Sequence, residues 1–328
     1  MARTTPPRPL DVAGLFPELR HHATTATRLH PRPGAPTAAD SSVGGPLLWP
    51  AGEPWPVCTE TGEHEPYNLS TPAAVRRRRE ILAAADAREP RPDGEFLTAE
   101  ERAELDAADE LELDDRIGEP IPPIAVAQLY RRDIPDYAGP DGTDLLQVLW
   151  CPVDHADRHY SPRVLLFWQD SAAINPLRAA PPEPPVVSDM YLPIPCTVQP
   201  EQVREYPYAA LLPDDLRERL TAWDGGDADH PRYQADLSLA PGWKVGGHAN
   251  WSLTDPYPVD CEACGAAMTL TFTAASSDWH GPHCTWRPSE EPPTASPDTV
   301  GVQIGRGYAL HVFRCPESYE HPAATAMQ

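Results

Sequence analysis

Lysine is almost missing from this chain. A single residue, Lys244, stands beside 25 arginines and against 49 acidic residues among 328, and the formal charge is −23. A field this negative excludes nucleic acid and anionic membrane surfaces as general partners, because both repel it unless a local basic patch intervenes. Long apolar runs are missing as well: nothing approaches the roughly 18 residues of a membrane-spanning helix. The opening stretch MARTTPPRPLDVAGLF has no apolar h-region of a secretory signal, so a cytoplasmic location is expected. There is no HExxH pair, phosphate-binding loop, dinucleotide fingerprint or Ser-His-Asp signature, which disfavours the common enzyme classes.

What is present is proline, apolar residues and cysteine. With 41% hydrophobic residues the chain is long enough for two core-bearing lobes, and 43 prolines imply abundant loop. Seven cysteines, an odd number in a reducing compartment, read as thiols or metal ligands rather than as a disulfide framework.

The organising feature is a repeat. The stretch VGGPLLWPAGEPWPVC, Val43 to Cys58, aligns with the stretch from Val245 to Cys261 after one inserted residue, Asp260. Trp49 then falls on Trp251, Trp55 on Tyr257 and Cys58 on Cys261. Farther on, DLLQVLWCP is echoed by YALHVFRCP, with Leu146 on Leu310 and Cys151 on Cys315. Each copy opens with a glycine-pair loop leading to a cysteine and closes with a strand delivering Cys-Pro. The expected fold class is α+β, with two tandem, internally duplicated β-rich lobes and a helical insertion in the first.

The boundaries follow in chain order. Residues 1–40 are an N-terminal lead-in carrying a helix around Pro17 to Thr27 and packing on the first lobe. Residues 41–175 are the first repeat lobe. Its insertion, 71–119, contains helices near 72–89 and 99–114, capped at Thr71-Pro72 and at the Thr98-x-x-Glu101 box and separated by a turn at Pro90 to Gly94. Arg76 to Arg79 are read as a solvated face beside the acidic second helix. Residues 176–224 are a connector with a helix from Pro213 to Trp223. Gly225 to His230 marks the boundary of the second lobe, 225–328.

If the copies share a fold, their opening and closing cysteines meet. In the second lobe Cys261-Glu-Ala-Cys264-Gly265 has the form of a zinc knuckle, two thiolates on a glycine-permitted turn. Cys315 adds a third sulfur. Cys284 is favoured as the fourth ligand, with His280, His283 and His321 as alternatives. In the first lobe Cys58, His64, Cys151 and His155 allow a Cys2His2 tetrahedron. One or two structural zinc ions are therefore expected, each contributing on the order of 10 kcal/mol to folding.

Two function classes follow. The first is a zinc-stabilised binding or interaction module without catalysis, serving an unknown protein or small-molecule partner. Its candidate ligand-binding residues are Lys244, Gly246, Gly247, Trp251, Gly44, Gly45 and Trp49, with Trp55, Trp243 and Tyr257 as further surface aromatics. The competing reading of those aromatics is core filling. The second class is a metal-dependent or cysteine-dependent hydrolase, using three ligands and an open water position in the first lobe, or Cys284 or Lys244, with Asp154 orienting His155.

The SxxGGP and KxGG loops, the AQL strand and the duplicated layout resemble the YwqG-like family of uncharacterised bacterial proteins. That resemblance implies a duplicated α+β fold, no established catalytic residues, and an interaction or immunity-type role for some relatives.

Overall fold

The computed structural model describes residues 2–88, 94–109, 113–178, 180–224, 226 and 230–328 as a mixed α+β molecule built on two six-stranded antiparallel sheets. The turn expected at Pro90 to Gly94 and the boundary expected at Gly225 to His230 lie mostly outside those residues. The first sheet runs Arg32–Pro33, Cys196–Thr197, Ser42–Val43, Ile124–Tyr130, Leu145–Trp150, Val164–Gln169. The second runs Glu201–Glu205, Thr24–Arg28, Lys244–Gly246, Thr269–Ala275, Ala309–Arg314, Ala324–Met327.

The central strands are leucine- and valine-rich without strict alternation, as expected where both faces of a sheet are covered. Every residue of Leu145–Trp150 is buried. The strand preceding each glycine pair is third in its sheet, and its partner carries a bulge at the same step. Register shifts between Ala125 and Ala127 in one sheet and between Leu270 and Phe272 in the other. The largest apolar core draws on both sheets, packing Val43, Val126, Val148 and Trp150 together with Trp243, Val245, Phe272 and Val312.

The lead-in and connector are built into these sheets. The helix expected over Pro17 to Thr27 stops at His21 as a 3-10 turn, and Thr24–Arg28 is a strand. Its β-branched threonines favour extended backbone, and it is hydrogen-bonded on both sides, by Glu201–Glu205 and by Lys244–Gly246. It therefore belongs to the second sheet, while Arg32–Pro33 of the lead-in joins the first and Thr25 and Thr27 donate to Asp136 of the first lobe. The connector in turn supplies Cys196–Thr197 to the first sheet and Glu201–Glu205 to the second.

Helices occupy Pro72–Asp86, Ala99–Asp109 and Asp214–Asp224. Thr71 Oγ1 caps the first by accepting from Ala74 N at 3.2 Å. The capping box of the second is formed both ways, Glu101 N to Thr98 Oγ1 at 3.1 Å and Thr98 N to Glu101 Oε2 at 2.9 Å. Arg77 and Arg78 pair with Glu104 and Asp109 of that acidic helix, while Arg79 turns inward to the carbonyls of Leu192 and Gly301. No helix among the described residues is long and apolar enough to cross a membrane.

The glycine pairs are points of close packing within the chain. Gly246 and Gly247 have φ of 70° and 76°, and a Cβ at Gly247 would lie 2.3 Å from Glu205 Oε2. A Cβ at Gly44, where φ is 64°, would lie 2.7 Å from Pro193 Cβ. At Gly247 the space that a partner's approach required is filled by the protein itself, whereas Gly44 and Gly45 border an open cavity beside Arg79 and Pro193.

Candidate metal centres

The first centre is built from Cys58, His64, Cys151 and His155, whose ligand atoms all lie within 4.8 Å of one another and whose side chains are all buried. Cys58 is fixed by two backbone hydrogen bonds with Ile121, of 2.8 and 3.1 Å. Cys151 leaves the end of the Leu145–Trp150 strand. The two histidines face each other across a short antiparallel ladder that pairs His64 with His155 and Glu65 with Asp154.

His64 Nε2 is 3.3 Å from Cys58 Sγ and 3.4 Å from Cys151 Sγ, and His155 Nε2 is 3.6 Å from Cys58 Sγ. Donor atoms on a tetrahedral ion with zinc-like bonds stand about 3.3 to 3.8 Å apart, so these are the separations that one ion requires. Their orientation is set from outside. His64 Nδ1 donates to Ile117 O at 2.8 Å, which leaves the Nε2 lone pair facing the sulfurs. Ile117 lies on the 3-10 turn Asp114–Gly118, so the insertion closes over the centre.

Asp154 does not orient His155. It accepts from Tyr191 Oη, whereas the carboxylates nearest His155 Nδ1 are those of Glu60 and Asp157, at 3.8 and 3.9 Å, beyond hydrogen-bond distance. Interaction with Cys151, and then with the His155 and His64 rings, outweighs burial and holds the Cys58 thiol far below its ordinary value. Burial, together with Cys58 itself, pushes Cys151 up. Two adjacent buried thiolates repel, so a cation is needed before both sulfurs ionise.

The second centre gathers Cys261, Cys264, Cys315 and His321, again within 4.8 Å. Gly265, with φ of 74°, turns the knuckle, and its N–H and that of Cys264 donate to Cys261 O at 2.7 and 3.3 Å. His321 Nδ1 is 3.4 Å from both Cys261 Sγ and Cys315 Sγ, and Cys264 Sγ is 3.5 Å from Cys315 Sγ. Cys264 is exposed and His321 half-buried, so this centre is nearer the surface than the first. Burial raises the Cys315 thiol, but hydrogen bonds from His321 and from the Glu317 and Ser318 backbone prevail and lower it to about 6.

Cys284, expected as the fourth member, does not join this cluster. It is exposed on the short helix Gly281–Trp286, outside the cluster, and His321 holds the fourth position. The same helix carries His283, whose Nδ1 bonds Ala235 O at 3.1 Å. The signal in the sequence is that each closing cysteine is followed by a histidine, His155 after Cys151 and His321 after Cys315. Cys196, buried in the first sheet, joins neither centre, and burial pushes its thiol up to about 12.

The proposed surface aromatics are mostly core. Trp49, Trp55, Trp243 and Trp251 are buried, whereas Tyr257 is 44% exposed with its ring edge-on to Trp251 at 4.8 Å. Lys244 is also buried, donating to Glu205 Oε1 at 2.6 Å and to His248 O at 3.0 Å.

What the sequence did not single out is the polar row around that lysine. Lys244 stands opposite Thr273, and Thr273 opposite His311, all three buried. The available signal is polar residues inside the apolar runs TLTFTAA and ALHVFR. His311 Nδ1 meets Thr273 Oγ1 at 3.0 Å, while Nε2 meets Asn250 O at 3.0 Å and Asn250 N at 3.2 Å, so either tautomer finds partners. Burial, then the nearby Lys244 charge, lowers the His311 pKa to about 3 and keeps the ring neutral.

No protein-family model matches the chain, and no curated protein matches it significantly.

Proposed function

We propose that the protein is a binding protein whose two halves are each pinned by one structural zinc ion, and that it performs no catalysis at those ions. The observation that carries this reading is the closure of the first centre: four converging ligands, all buried, leave no coordination position for a reacting water. Two thiolates and two neutral imidazoles suit zinc in charge and softness, and three thiolates with one imidazole suit it in the second centre.

The hydrolase reading has less support. Lys244 is engaged by Glu205, and Cys284 lies away from both centres. Elemental analysis of purified protein tests the proposal: two zinc ions per chain and a sharp fall in melting temperature on chelation are expected. Metal-free protein indifferent to chelator refutes it.

The two halves are read as copies of one ancestral unit. Supporting this are the common strand order, the bulge at the same step, and a common device holding the loop. Gln147 and His311, aligned in the two closing strands, bond the backbone of the aligned residues Leu48 and Asn250. The likeness to the YwqG-like family belongs with this reading, as do cytoplasmic residence and a protein or small-molecule partner rather than nucleic acid or membrane.

A further inference from the structure

The two polar rows differ in the chemistry they present. In the first sheet Ser42, Gln128 and Gln147 stand opposite one another, and the long amides reach each other: Gln147 Nε2 donates to Gln128 Oε1 at 3.0 Å, while Gln128 Oε1 also accepts from Leu48 N at 2.6 Å. In the second sheet the corresponding positions are Lys244, Thr273 and His311. Threonine is shorter than glutamine, and Asn250 replaces the apolar Leu48. Above this row lies a cavity of about 310 Å³, within the range of small-molecule sites.

The lining of the cavity is unusual for this protein. In a chain with 49 acidic residues, no acidic side chain contributes to its wall, whereas Lys244, Arg306 and three histidines do. Arg306 is exposed at the mouth and forms no ion pair among the described residues. Glu205 compensates the Lys244 charge, so the side-chain cation left without an acidic partner at the cavity is the Arg306 guanidinium.

Polar valences also remain open. Lys244 has three N–H donors and two acceptors in the protein, and Asn250 Oδ1 is buried without a hydrogen-bond partner. Such groups raise the energy of the empty site and are satisfied by a ligand carrying both acceptors and donors.

We propose that this cavity binds a small hydroxylated organic anion, its phosphate or carboxylate paired with Arg306 and its hydroxyl groups meeting Lys244, Asn250 and Ser277. The inference deepens the binding-protein reading by naming the site and the ligand class, and it does not depend on the metal.

The experiment is calorimetric titration and chemical-shift mapping of the full zinc-loaded chain with glycerol 3-phosphate and glycerate, with glycerol as the uncharged control. Saturable binding of at least one anion at millimolar concentration or tighter, and none of glycerol, is the expected result. Arg306→Ala removes one charge-assisted contact and is expected to weaken binding roughly tenfold or more. Ser277→Phe leaves the arginine in place and is expected to block the cavity.

Failure of every anion to bind the native protein overturns the proposal. So does binding that survives both substitutions, which would place the anion elsewhere. Metal content is measured on the same samples, so a zinc-free but anion-binding protein would sink the zinc reading and leave this one standing.

Discussion

Replacing Cys151 with serine tests the first centre at a fully buried member. Cys151 Sγ lies 3.4 Å from His64 Nε2, inside a cluster whose four members are all shielded from water. Serine keeps the volume nearly unchanged but removes the soft thiolate donor. If affinity for the ion falls on the order of a thousandfold, linkage converts the loss to about 4 kcal/mol while metal is present in excess. At about 2 °C per kcal/mol, the lower end for long chains, melting falls by roughly 8 °C. The assay is paired: elemental analysis, expected to drop from two zinc ions to one, and a thermal melt in zinc-buffered solution. Cys284→Ser is the control and is expected to retain both ions and the native melting temperature. A Cys151→Ser protein that keeps two ions, or that melts with the wild type, refutes the assignment.

Further expectations concern the second centre and the polar row. His321→Ala should lose one ion and leave the first centre filled, read by elemental analysis. Cobalt substituted for zinc should give tetrahedral visible bands, with stronger sulfur charge-transfer absorption per ion from the second centre, which has three sulfurs against two. Lys244→Met should destabilise by about 3–5 kcal/mol, because it strands Glu205 as a buried carboxylate. The double variant Lys244→Met with Glu205→Gln should recover much of that loss in a denaturant melt. His311 is neutral when folded, with its pKa lowered to about 3, against about 6.5 when unfolded. The unfolded chain therefore binds the extra proton first, and stability falls as pH drops from about 6.5 toward 3, by up to about 1.4 kcal/mol per pH unit. His311→Gln, which places in the second sheet the residue found at the matching position of the first, should lack that slope, and comparing the two proteins separates it from acid release of metal.

Much of this architecture was legible in the chain. The repeat of glycine pair, loop cysteine, apolar strand and Cys-Pro predicted that Cys58 would meet Cys151 and Cys261 would meet Cys315, and both pairs are clustered. The helices were legible because their signals are local: a threonine cap, a proline in the first turn, a capping box. The fourth ligand of the second centre was harder, since Cys284 and His321 are both near enough in sequence and only packing separates them.

The amino-acid order by itself determined the capped helices and the central apolar strands, though not the strand Thr24–Arg28, together with the excess of negative charge and the cysteine pairs, because propensity, capping, charge and ligand chemistry act over short range or through composition. Tertiary structure alone decided which sheet receives Thr24–Arg28, since an isolated strand with unpaired edges has no preferred partner until both neighbours are in place. It also decided that Trp49, Trp55, Trp243 and Trp251 are buried and that Lys244 is matched by Glu205, 39 residues away. Side-chain identity states what a residue can bond, whereas burial and the partner delivered from a distant strand state what it does bond.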